Sequence, residues 1–390
     1  MKLLVYLWNS YTDTNLCDIL FQLNISYDKF TYNFDAQGHN KNEDEEFVYS
    51  FCKTYESIVY DAVISIDYWP PIALACYKLN IKYIAWSYDC PIDILKPEDT
   101  MCLPNVYTFL FDKVQAEGYL TLGLNHVYHM PLGANTKLWK NVGPGHPNCS
   151  KYKSEVSFVG KLYQNSSYNI ISNLVSAKTK SILQTIIDTQ RKLPQTYILD
   201  NVITESFVSL VDTEIHNNCP NFMDNVTVRS LRFALECEIA RYDRLTLLNL
   251  SGKRYNTHFY TGEESELIQN VTIHPYVDYY DEMPYIFAAA KVNLNPTLMA
   301  IRSGVNLRTF DVTACGGFLL TNHQIELDDY FADGKELVIY DSIYDFIDKL
   351  EYYLSHENER AKIAMAGKAR CIKDHGMDKR LSDIIKIVFT

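Results

Sequence analysis

No stretch of this 390-residue chain is an uninterrupted apolar run of spanning length, and a transmembrane helix needs about 20 such residues in a row. The opening MKLLVYLW meets the polar NSYTDTN too soon to read as a secretory leader. The ten cysteines include no CxxC pair and no Cys/His group at zinc-ligand spacing, so neither a structural metal site nor a redox motif is supported. They read as reduced, mostly buried thiols of a cytoplasmic protein, where sequons such as Asn225-Val-Thr carry no meaning. Basic charge is also short. The formal net charge is -12, whereas a general nucleic-acid binder needs a basic face to neutralise phosphates; only a local basic pocket is compatible. Internal repeats and low-complexity segments are absent as well.

What is present is ordinary globular material, 47% hydrophobic and 22% charged, in a length that suggests two domains each able to bury a core. There are 30 tyrosines, some of which suit a sugar pocket, although tyrosine equally fills half-buried strand and helix positions.

Residues 1 to about 135 alternate short apolar runs with helical patterns, the mark of a parallel sheet with helices on its faces. Strands are expected at 3–8, 62–66, 82–86, 106–111 and 126–130, and helices at 13–23, 43–55, 72–79 and 113–122. The acidic run NEDEE (42–46) reads as a solvated helix start that suits the helix dipole. Strand ends of such a sheet face the ligand crevice, which gives weight to Asn9, Ser10, Asp67, Tyr68 and the run Ser87-Tyr88-Asp89-Cys90-Pro91. Asp89 is the candidate general base: burial at a strand end raises a carboxylate's pKa toward the working range. Its alternative role is capping the turn before Pro91. Asp112 and Lys113 read as structural, and 130–134 as the crossover into a hinge.

The Gly, Pro and Asn cluster of TKLWKNVGPGHPNCSKYK reads as a linker, giving an N-terminal domain at 1–140, a linker at 141–154 and a second domain at 155–375. A second sheet begins at EVSFVGKLYQNSS, with Gly160 and Lys161 in its first loop; a surface lysine is the plain alternative. The long helical pattern at 226–250 reads as core packing with no site attached, and a tyrosine-rich loop follows at 274–280. RSGVNLRTFDVTACGGFLLTNHQIE (302–326) then gives loop, helix, strand and loop. Leu307, Phe310 and Ala314 form a short apolar helical face that Gly316-Gly317 can stop. Arg302, Ser303 and Gly304 precede that helix and Arg308 sits on its first turn. Two guanidinium groups and several free N–H donors there suit a phosphate, while pairing with surface acids is the alternative.

The run 302–326, continued through ELDDYFADGKELVIYDSIYDFIDKLEYYLSHENERAKIAMAG, closely resembles the C-terminal half of the spore-maturation (CgeB-like) glycosyltransferases, within the group 1 glycosyltransferases of GT-B fold. Tyr88-Asp89-x-Pro91, Asp112-Lys113 and MPLGA resemble the N-terminal domain often found with them, more loosely.

The resemblance implies an α/β fold of two Rossmann-like doubly wound domains facing a cleft, with a final helix (376–390) packing back on the N-terminal acceptor-binding domain. It implies a nucleotide-sugar donor, most simply a UDP-sugar, held without a metal. Gly160 and Lys161 then approach its phosphates with Arg302, Ser303, Gly304 and Arg308, while Tyr276 and Val277 flank the base. Glu326, with Thr321 and Asn322 beside it, takes the ribose hydroxyls as the second acid of the group 1 Glu-x7-Glu pattern. The first acid of that pattern falls at Phe318, so the sequence departs there and the retaining stereochemistry stays open. A hexosyl- or N-acetylhexosaminyl-transferase of bacterial type is expected, with Asp89 and Arg308 catalytic. The alternatives are a catalytically silent binding module of the same fold and, more distantly, a nucleotide-sugar epimerase. Acceptor, oligomeric state and donor base are not readable.

Overall fold

The computed structural model describes residues 1–34, 41–92, 94, 96–222 and 225–390. Of the acidic run at 42–46, the side chains of Asn42 and Glu43 lie outside the described residues; the helix there is Lys41–Tyr55. Two six-stranded sheets, each wholly parallel, make up the frame. The first contains β1 (Lys2–Leu7), β2 (Ser26–Thr31), β3 (Ala62–Ile66), β4 (Lys82–Trp86), β5 (Val106–Leu110) and β6 (Val127–His129), in the order β2-β1-β3-β4-β5-β6. The second contains β7 (Ser154–Val159), β8 (Thr257–Tyr260), β9 (Thr272–His274), β10 (Ala290–Asn295), β11 (Leu319–Asn322) and β12 (Val338–Tyr340), in the order β12-β11-β10-β7-β8-β9.

The central strands are apolar because helices cover both sheet faces. AVISI of β3 is buried at every position, and its register places Val63 against Leu4 on one side and Tyr83 on the other. Strand β2, absent from the sequence expectation, has SYDKFT half in water at the sheet edge; Asp28 there pairs with Lys2 at 2.6 Å. One buried cluster spans both sheets, joining Val5, Ile64, Trp86 and Phe109 to Ile286, Phe310 and Leu319. Between β7 and β8 the chain inserts helices Ser167–Leu174, Ala177–Lys192, Glu205–Asn218 and Val228–Gly252, which share an apolar core of their own.

The last helix, Met377–Phe389, enters against the crossover: Ala134 N–H donates to His375 O at 3.1 Å and Met377 N–H to Ala134 O at 2.9 Å. At its far end Lys82 Nζ donates to Val388 O and lies 4.7 Å from the Phe389 ring centre. Among the described residues no helix is long and apolar enough to cross a membrane. All ten cysteines are free thiols.

Candidate active site between the two sheets

Parallel strands aim their C-terminal ends at one crevice. Residues following β1, β4 and β5 (Tyr11, Asp89 and Phe111) and those at the ends of β7 and β10 (Gly160, Lys161 and Asn295) line a single cavity of about 450 Å³. Arg244, Arg308 and Asp311 complete its charged lining.

Arg308 is on the first turn of the helix Leu307–Ala314, which Asn306 caps by accepting the Thr309 N–H at 3.2 Å and which Gly316, at φ +75°, ends. Its guanidinium lies 5.1 Å from the Phe287 ring centre and 3.1 Å from the Met283 sulfur, and no carboxylate pairs with it among the described residues. One turn on, Asp311 is only 2% exposed and accepts the Tyr279 hydroxyl at 3.0 and 3.1 Å. Burial pushes its carboxyl up to about 7, against the pull of Arg308 and Tyr279.

Asp89, in the same lining, carries a carboxylate with no hydrogen-bond partner among the described residues. The surrounding protein raises its pKa, and the Lys161 charge opposes that rise. The turn that carries it is pinned from behind. Asp67 Oδ1 accepts the Tyr88 N–H at 2.8 Å, the Asp89 N–H at 3.0 Å and the Ser87 hydroxyl at 3.1 Å. Asp67 is itself raised, first by burial and then by the charge of Asp89.

Of the residues expected at the site, the structure therefore brings together Asp89, Gly160, Lys161 and Arg308. The others go elsewhere, each for a definite reason. The anion-binding point expected at 302–304 is filled from inside: Asp112 Oδ2 accepts the N–H groups of Arg302, Ser303 and Gly304 at 2.7, 2.8 and 3.0 Å. Its other oxygen caps the Lys113–Thr121 helix through the Gln115 N–H at 2.8 Å, so one fully buried carboxylate ties the 302–304 loop to that helix. A Cβ on Gly304 would lie 2.8 Å from Phe111 O, which is why the loop fits so closely. The Arg302 side chain turns outward, pairs with Asp200 at 2.9 Å and stacks 3.3 Å from the Tyr197 ring centre.

Glu326, expected at the ribose, is likewise taken up by protein donors. It accepts from His129 Nε2 at 2.7 Å, Ser303 Oγ at 2.8 Å, Lys113 N–H at 2.9 Å and Tyr330 Oη at 2.9 Å. Burial alone would raise its pKa, but these donors outweigh that and hold it below the usual range. Thr321 is buried and donates to Asn295 O at 2.8 Å, and Asn322 Oδ1 takes the Thr297 N–H at 2.7 Å; both support the loop after β10 without lining the cavity. Phe318 is buried against Tyr353.

Tyr276 and Val277 also lie outside the cavity. Val277 packs against the core, whereas Tyr276 is 62% exposed beside a groove of about 950 Å³ lined by 261–267, 273–275 and Gln164. A Cβ on Gly262 would sit 1.9 Å from the Tyr276 ring, so the ring packs closely against that glycine.

Among the charged residues of the cavity, Asp311 and Arg244 are the two that the sequence does not single out. Arg308-x-x-Asp311 at helical i,i+3 spacing was the available signal for the first. The long helix at 226–250, read as pure core, in fact contributes Phe233 and Arg244 to the lining. Among the described residues no three His, Cys, Asp or Glu side chains group closely enough to hold a metal ion.

Residues 230–386 match a family model described as glycosyl transferase-like. The whole chain has the GT-B fold. It is similar to a sucrose-phosphate synthase from Thermosynechococcus elongatus (TM-score 0.60, 9% identity, 100% of this chain and 99% of that one). It is also similar to Anabaena HepE solved in complex with UDP-glucose (0.54, 11% identity, 100% and 99%) and to a glycosyltransferase from Rickettsia africae (0.54, 9% identity, 99% and 97%). No curated protein sequence matches the chain.

Proposed function

We propose that this chain is a glycosyltransferase of the spore-maturation (CgeB-like) type, moving a hexosyl or N-acetylhexosaminyl group from a nucleotide sugar to an acceptor hydroxyl in the cytoplasm without a metal. The observation that carries this reading is that Lys161, Arg308, which has no carboxylate partner among the described residues, and Asp89 line one cavity. A departing nucleoside diphosphate gains negative charge as its bond to the sugar breaks, and fixed cations that strengthen with that charge accelerate the step. Asp89 takes the acceptor's proton, the acceptor oxygen bonds to the anomeric carbon, and the diphosphate leaves with the electron pair of the broken C–O bond. The surrounding protein raises the Asp89 pKa, the direction that suits a general base.

Asp311 takes over the hydroxyl-accepting role expected of Glu326, because it faces the cavity while Glu326 is saturated by protein donors. The base rests in the groove beside Tyr276, whose exposed ring suits stacking. The UDP-glucose held by the Anabaena protein supports a uridine donor.

One observation favours the second reading, a module that binds nucleotide sugars without turnover. Backbone amides at 302–304 and at 162–164, which suit phosphates, are occupied by the chain's own Asp112 and Glu263. Transfer or hydrolysis of UDP-sugars separates the two. Turnover that falls at least about 100-fold in Asp89→Asn, with nucleotide affinity retained, supports the enzyme. Binding with no turnover in the wild-type protein supports the module.

A further inference from the structure

Three non-glycine residues that follow strands at the crevice have left-handed backbone: Asn9 at φ +67°, Asp67 at φ +58° and Tyr163 at φ +64°. Asparagine and aspartate tolerate that region; a tyrosine there is a strained outlier that persists only where its surroundings impose it. Those surroundings are explicit. The Glu263 carboxylate accepts the N–H groups of Leu162, Tyr163 (3.2 Å) and Gln164 (2.9 Å), three amides in a row. Arg244, 7% exposed, donates to Lys161 O at 2.5 Å and to Pro296 O at 2.9 Å, and its guanidinium lies 4.7 Å from the Tyr163 ring centre.

The turn so fixed is the wall between the two concavities. Lys161 and Tyr163 line the 450 Å³ cavity, while Gln164 and Glu263 line the 950 Å³ groove. A ligand with its base in the groove and its sugar in the cavity must cross this wall with its diphosphate. Strain held at such a point is consistent with preorganisation for a ligand.

We propose that Tyr163 contacts the bound nucleoside diphosphate and that Glu263 and Arg244 are positioning residues, fixing the 161–164 turn so that Lys161 and Tyr163 meet the diphosphate together. This rests on the donor-binding reading above. The tests are therefore chosen so that either can fail without being mistaken for the other.

Calorimetric titration with UDP, and with GDP, ADP, CMP and TDP in parallel, is made on the wild-type protein, Lys161→Ala, Glu263→Gln and Tyr163→Asn. Asparagine accepts the left-handed backbone, so Tyr163→Asn removes the ring without the strain. The expected result is a Kd for the preferred nucleotide raised about 10-fold or more in both Glu263→Gln and Tyr163→Asn, measured well below each variant's Tm. A merely structural tyrosine gives the reverse pattern, lower Tm with affinity intact, and that overturns the proposal. If Glu263→Gln fails to fold, Tyr163→Asn decides alone. Weakened binding in Lys161→Ala alone removes this inference and leaves the donor site standing. Absence of nucleotide binding in the wild-type protein removes both.

Discussion

Arg308→Ala is the substitution whose consequence follows most directly from the geometry. The guanidinium meets the Met283 sulfur and the Phe287 ring and acts on the Asp311 carboxyl at a distance, but it forms no ion pair with a carboxylate among the described residues. A charge-assisted hydrogen bond to phosphate contributes roughly 1.5 to 3 kcal/mol, and its loss raises Kd about 10- to 150-fold. The cost to the fold is small. Removing the ring contact forfeits about 1 kcal/mol, a shift of a few degrees at most. Arg308→Lys keeps the charge but loses the planar fork, so it recovers part of the affinity. Titration calorimetry with UDP and UDP-glucose reads both variants, with thermal melting as the control. A Kd in Arg308→Ala within twofold of the wild-type value refutes the assignment of Arg308 to the diphosphate.

Asp112→Ala leaves the buried amides of 302–304 unpaired, and a urea titration should show a loss of about 3 kcal/mol or more, against the few tenths expected of a surface acid. Asp311 sets a pH dependence. Its folded value of about 7 lies above the ordinary 3.8, so the folded state keeps a proton that the unfolded chain releases, and stability falls as pH rises across that window. Asp311→Asn should therefore melt several degrees higher than the wild-type protein at pH 8 and nearly with it at pH 4; a difference independent of pH contradicts the burial of that carboxyl. Gly262→Ala drives a methyl group into the Tyr276 ring. UDP affinity should fall several-fold while pyrophosphate affinity holds, as measured by competition.

The fold was legible where burial on both faces writes itself as an apolar run, as in AVISI and KYIAW. It was not legible at β2, where a solvated edge lets SYDKFT carry charge. The site was legible where side chains hang from strand ends or the start of a helix, which brought Asp89, Gly160, Lys161 and Arg308 to one cavity. The contacts at 302–304 and at Glu326 were not legible, because spacing shows which donors and acceptors are available but not which distant partner reaches them first. Asp112 lies about 190 residues away from the amides it fills, and His129 is 197 residues from Glu326. Arg244 was hidden for a different reason: one polar residue on an apolar helix face reads as a solvent-facing position, and only the packing of that helix over β7 turns it inward.

The central claim, that the cavity between the sheets holds a nucleotide sugar, is tested most directly by thermal melting against UDP, GDP, ADP, CMP and TDP and their common sugars, in EDTA and again with magnesium. Selective binding at about 100 times Kd adds roughly 2.7 kcal/mol and raises Tm by a few degrees. The account predicts that rise for one nucleotide, uridine by preference, in EDTA as in magnesium. No rise with any nucleotide under either condition contradicts it.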